Sequence, residues 1–139
     1  MNTLGDILKH HPRESEFSHD TLVSTLGEIA NCAGVCGACA DACLAEPEVD
    51  MLRKVIRATV DCAAICEVTA KIAGARTESD ARILAAQMQA CVTACEVCAA
   101  ECRVHAQRHE HCRLCAETCD GCIQVCNRFM QSMRLPAVH

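Results

Sequence analysis

The chain has 139 residues and a formal net charge of -5, and 51% of it is apolar although it has no Trp, no Tyr and only two Phe, Phe17 and Phe129. One domain of this length buries a core without covalent staples, and an acidic chain almost free of aromatics offers no nucleic-acid-binding face. There is no run of 18 apolar residues, so no membrane-spanning segment is expected.

Fifteen cysteines, about a tenth of the residues, need an explanation. A small secreted protein would use them as a disulfide framework. Here the count is odd and the spacing is helical. Residues 1–16, with His10, His11, Arg13 and Glu14, also lack the apolar stretch and cleavage site of a secretory signal. The expectation is a cytoplasmic protein with reduced thiols, and hence metal or redox chemistry.

Residues 1–17 are expected to form an N-terminal arm or short helix, ahead of a Cys-rich four-helix bundle over 18–139. The first long helix is predicted from Ser18 to Leu44. Ser18 is its cap, and Phe17 packs on Leu22 as a hydrophobic staple. Pro47 breaks the chain and suits the first turn of a second helix, with Glu48 and Asp50 at its positive end. Gly74 ends that helix after Ala73. Thr77 is the expected cap of the third helix, with Glu78 and Asp80 in its first turn, and this helix runs to about Gln107. The fourth is predicted from about Glu110 to Met133, with Pro136 closing the chain. Residues 107–111 hold no Gly or Pro, and the periodicity alone also fits one unbroken helix. A turn is preferred because a helix of about 50 residues is uncommon in a compact domain. No strand pattern appears, so the fold class is all-α, an antiparallel four-helix bundle with a cysteine-lined core.

The cysteines carry the chemistry. Seven pairs are spaced i, i+4: Cys32 and Cys36, Cys39 and Cys43, Cys62 and Cys66, Cys91 and Cys95, Cys98 and Cys102, Cys115 and Cys119, Cys122 and Cys126. Cys112 opens the last run. Residues three and four apart share a helix face, so each run is a stripe of sulfur. The same stripe is the apolar one, continued by Met88 in the third helix and by Phe129 and Met133 in the fourth, so it faces inward. Four such stripes make a sulfur-lined tube, and thiols take the place of the missing aromatics. Disulfides within i, i+4 pairs would be strained.

Soft thiolates select Cu(I), Zn(II) or iron–sulfur clusters. Structural zinc and iron–sulfur sites usually draw their cysteines from loops, whereas a rigid stripe of pairs makes a ladder suited to linear or trigonal Cu(I). Exchanging one thiol proton for one Cu⁺ leaves the core neutral. Zinc on two thiolates would be neutral as well, so charge alone does not separate the two. With shared sulfurs, capacity would be on the order of 10 or more ions per chain. The alternatives are an iron–sulfur or zinc protein, or a copper chaperone. No nucleophile, base and orienting group occur together, so no enzyme activity is expected.

An up-down bundle gathers Cys43, Met51, Cys102, His105, His109, His111 and Cys112 at one mouth. The opposite end collects Leu22, Leu26, Ile83, Leu84, Met88, Phe129, Met130 and Met133 as an apolar plug. His105, His109, His111 and Met51 join the fifteen cysteines as candidate ligands. Arg53, Lys54, Arg57, Glu67 and Lys71 should form a solvated face. His10, His11, His19 and His139 are expected on the surface, and Asn31 and Thr69 as ordinary polar positions.

With CxxxC pairs on all four predicted helices and histidines at the mouth, the sequence resembles the copper storage proteins, in particular their cytosolic branch. The resemblance covers residues 18–133. It implies Cu(I) held by core thiolates, His105, His109 and His111 at the mouth, and a homotetramer. One departure is that the second helix carries only Cys62 and Cys66, with Met51, Val55 and Ala58 in its mouth-proximal half.

Overall fold

The computed structural model describes residues 3–133. Pro136 and His139 lie outside the described residues. A short helix α1 (Thr3–Lys9) precedes four long ones: α2 (His19–Ala45), α3 (Arg53–Ala73), α4 (Ala81–Val104) and α5 (Glu110–Gln131). No strand occurs among the described residues. Helix α2 packs on α3 and α5, and α4 packs on the same two, so the four helices stand at the corners of a square. Short connections between sequential neighbours make them antiparallel. At 1.5 Å per residue the 27-residue α2 is about 40 Å long.

Local chemistry sets the ends. The Ser18 hydroxyl accepts from the Thr21 amide at 3.1 Å and caps α2, as expected from the sequence. Phe17 stacks on the Phe129 ring, with centroids 4.1 Å apart, so its main partner lies on α5. Pro47 does not begin α3. It sits in a turn followed by one 3-10 turn, Val49–Leu52, in which the Met51 amide donates to the Glu48 carbonyl at 2.9 Å. Gly74 does cap α3, with its amide donating to the Ala70 carbonyl. Its φ of -78° is right-handed. A Cβ there would meet Leu26 Cδ1 at 3.4 Å, an ordinary contact, so neither backbone conformation nor packing demands glycine at this position.

The cap of α4 is Asp80, not Thr77. Its carboxylate accepts from the Arg82 amide at 2.8 Å and pairs with the Arg82 guanidinium at 2.7 Å. That pairing holds the Asp80 carboxyl down at about 2. Two cap-forming side chains stand three residues apart, and the one with the added cation takes the position. Glu78, expected in the helix, turns the chain instead with a φ of +56°. Helices α4 and α5 are separate. His105 ends α4, and His109, extended at φ -131° and ψ 110°, begins α5, so the turn needs neither glycine nor proline.

Leu22, Leu26, Met88 and Phe129 are almost wholly buried at the end remote from the mouth, and Leu84 is buried beside them. Met130 and Met133 are half-buried against this cluster. Ile83 is 60% exposed and is no part of the plug, because adjacent helical residues point about 100° apart. The N-terminal segment crosses the same region: Leu8 is buried, and the Arg76 guanidinium donates to the Arg13 carbonyl at 2.9 Å. Arg53, Lys54, Arg57, Glu67 and Lys71 are all exposed along α3.

No run of 18 apolar residues occurs, yet mean hydropathy alone marks two helices. Helices α2 and α4 have the length and apolar composition to cross a membrane. Much of that apolarity is the Cys and Ala stripe that each turns toward the bundle core.

Candidate metal centre

All fifteen cysteines are free and buried. Cys39 is 2% exposed and the other fourteen 0%. The helical stripes predicted from spacing meet along the bundle axis. Near the apolar end, Cys66 lies 3.7 Å and Cys126 3.9 Å from Cys91. One step on, the Cys62 sulfur is 3.7 Å from Cys95, and Cys32 is 3.9 Å from both Cys95 and Cys119. Further toward the mouth, Cys36 sits 3.7 Å from Cys119, 3.8 Å from Cys115 and 3.9 Å from Cys98. These are contact distances, well beyond the roughly 2.05 Å of a disulfide.

The sulfurs therefore group into overlapping sites. Cys32, Cys66, Cys95 and Cys122 form one quartet, Cys32, Cys62, Cys95 and Cys119 a second, and Cys36, Cys98, Cys115 and Cys119 a third. Cys39, Cys102 and Cys115 form a trio, and Cys39, Cys43 and Cys112 join His111 at the mouth. Donor atoms within each group lie within 4.8 Å of one another. Because groups share members, no break separates one site from the next.

Ionisation inside such a cluster is collective. Removing a thiol from water disfavours its anion. Burial raises Cys43 and pushes Cys112 up to about 12. Deeper in, a thiolate is stabilised by S–H groups donated from its neighbours, which are themselves then held protonated. Cys119 and Cys122 lower Cys32 in this way, Cys122 lowers Cys91, and Cys102 lowers Cys115. Conversely Cys115 raises Cys36, and Cys119 raises Cys95. The thiols of the apo core therefore titrate together rather than singly, and an incoming cation displaces protons.

At the mouth the candidate histidines separate. His111 turns Nδ1 to the sulfurs, 3.4 Å from Cys39 and 3.7 Å from Cys112. Its Nε2 is 3.3 Å from Glu46 Oε2. His109 is 7% exposed and stacks on His111 with ring centroids 5.4 Å apart. Its Nδ1 contacts Glu46, and its Nε2 lies 3.1 Å from Glu48 Oε1. His105 is half-buried at the C-cap of α4, where its carbonyl accepts from the His109 amide at 3.0 Å. Met51 is 64% exposed in the 3-10 turn and stands outside the buried core.

Two groups escaped the sequence reading. Glu46 and Glu48 flank Pro47 in the α2–α3 connection, and only the fold brings them across from the α4–α5 turn. Thr69, expected as an ordinary polar residue, is fully buried in the α3 stripe. Its hydroxyl donates to the Ile65 carbonyl at 2.7 Å and accepts from Gln87 Nε2 at 2.9 Å. Its place between Cys66 and Ala73 at steps of three and four was the available signal.

Comparison with known proteins accords with this geometry. A Bacillus subtilis (strain 168) protein, the uncharacterized cysteine-rich protein YhjQ, is 31% identical over 96 residues, covering 69% of this chain and 83% of that one. The Streptomyces lividans copper storage protein Ccsp, loaded with 10 copper equivalents, superposes with a TM-score of 0.90 at 41% identity, covering 94% of this chain and 100% of that one. The cytosolic copper storage protein of Streptomyces lividans carrying five coppers matches with a TM-score of 0.80 at 43% identity, over 83% of this chain and 96% of that one. The family model described as copper storage protein matches residues 18–131. A bundle whose interior is a continuous set of reduced thiols, within a sequence matched over nearly its whole length, belongs to the copper storage protein family.

Proposed function

We propose that this chain stores and buffers Cu(I) in the cytoplasm, on the order of 10 ions per chain, on the thiolates of its core. The observation that carries the reading is the unbroken run of sulfur contacts of 3.7–3.9 Å joining all four long helices. Low-coordinate Cu(I) uses two or three sulfurs, and a shared thiolate bridges neighbouring ions. Each Cu⁺ replaces a proton, so the tube fills without accumulating charge in a poorly solvated interior. The proposed ligands are the fifteen cysteines and, at the mouth, His111. His109 braces His111 by stacking and by its contacts to Glu46 and Glu48. The Streptomyces lividans relative is described as cytosolic, which supports the location.

A homotetramer is part of the proposal. It rests on the family resemblance and on an outward apolar groove between α3 and α4, lined by Ala58, Ile65, Ala86, Ala90, Ala94 and Val97. Anaerobic titration of the reduced apoprotein with Cu(I), followed by gel filtration, light scattering and elemental analysis, tests both parts. Ten or so coppers retained per chain against a Cu(I) chelator, in a particle of four chains, is the expected result. Retention of one or two would sink the storage reading in favour of a chaperone, and a monomer would remove the tetramer alone.

A further inference from the structure

The mouth group differs in kind from the rest of the ladder. Cys39, Cys43 and Cys112 supply three sulfurs and His111 one nitrogen, all within 4.8 Å of one another. We propose that these four side chains form a distinct Zn²⁺ site, one ion per chain, and that Glu46 positions His111 for it.

Three observations support the assignment. The first is distance. A tetrahedral zinc with bonds of about 2.3 Å to sulfur and about 2.05 Å to nitrogen sets its nitrogen about 3.6 Å from each sulfur. His111 Nδ1 is 3.4 Å from Cys39 Sγ and 3.7 Å from Cys112 Sγ. The second is the partner of the ring. His111 Nε2 faces Glu46 Oε2 at 3.3 Å, so its N–H donates to a carboxylate and the Nδ1 lone pair points at the sulfurs. A carboxylate behind a histidine is the usual orienting device of zinc ligands. Glu46 is itself fixed by its contact with His109, which is buried.

The third is charge. Four thiolates around Zn²⁺ carry a net charge of about -2, which is costly in the desolvated core. The core quartets share Cys32, Cys95 and Cys119, so filling one strips its neighbour, whereas the mouth set meets the trio of Cys39, Cys102 and Cys115 through Cys39 alone. Three thiolates and a neutral imidazole leave only about -1. The mouth set reaches the surface through His111, which is 27% exposed, so part of that charge is solvated. Binding there releases three thiol protons for one Zn²⁺ and holds the ion at the mouth of the tube. Zinc and copper would then compete for Cys39, Cys43 and Cys112 while the deeper sulfurs remain selective for Cu(I).

The test uses Co²⁺ as a spectroscopic stand-in for zinc on the reduced, copper-free full chain under anaerobic conditions. One equivalent should give thiolate-to-cobalt charge transfer and intense tetrahedral d–d bands, and one equivalent of Zn²⁺ should abolish them. Cys112→Ser and His111→Gln should each weaken this first equivalent at least tenfold. Glu46→Ala should weaken it by about 10- to 100-fold with the d–d bands retained, and Glu46→Gln, whose amide oxygen still accepts, by less. Cys122→Ser, deep in the core, should leave the first equivalent unchanged. Each variant is checked for helix content by circular dichroism, so a misfolded one is not scored. Loss of the first equivalent in Cys122→Ser, indifference to both Cys112→Ser and His111→Gln, or several equivalents entering together would overturn the proposal. Copper retention is measured separately on the same samples, so failure of the zinc site and failure of copper storage give different results.

Discussion

Cys112 shows how a single thiol ties stability to loading. An unconstrained cysteine ionises near 9.0, and burial holds this one protonated to about 12. Between those values the unfolded chain carries fewer protons than the folded one, so the apoprotein loses stability as pH rises. The contribution is present in full below pH 9.0 and is lost by about 12. Cys43, raised by the same burial, acts in the same direction. Urea midpoints of the apoprotein should therefore fall from pH 9 upward, while those of the copper-loaded protein stay flatter, because metal-bound thiolates have no proton left to lose. Equal slopes for the two forms would show that these thiols do not govern the alkaline limb.

At the scale of the helices, periodicity identified what faces inward and left open how the ends close. The stripes of α2, α3, α4 and α5 were readable because steps of three and four leave one solution for fifteen cysteines. The α4 cap was misassigned because Thr77 and Asp80 compete, and Arg82 settles it for Asp80. The 3-10 turn at Val49–Leu52 left no pattern that would distinguish it from a first helical turn. Glu46 and Glu48 could not be recognised as neighbours of His109 and His111, since no local spacing connects residues over 60 positions apart. The stacking of Phe17 on Phe129 was likewise invisible, although these are the only two phenylalanines and the chain has no Trp or Tyr. That pair locks the N-terminal segment to α5. Phe129→Ala should destabilise the apoprotein by about 3–5 kcal/mol in chemical denaturation, the usual cost of emptying a well-packed aromatic site. A loss below about 1 kcal/mol would mean that the surrounding side chains collapse into the space.

The whole molecule is a tube with unlike ends. Sulfur, imidazole and carboxylate meet at one, while Leu22, Leu26, Met88 and Phe129 seal the other beneath the N-terminal segment. A vessel closed at its base has a memory. If copper passes only through the mouth, ions that arrive first should settle deepest and leave only after later arrivals have gone, so the store should empty last in, first out. Loading half the capacity with one copper isotope and the rest with another, then withdrawing copper slowly with a chelator, should return the second isotope ahead of the first. A random mixture in the first fractions would mean that ions change places along the ladder faster than they leave it, and the sequence of deliveries would be forgotten.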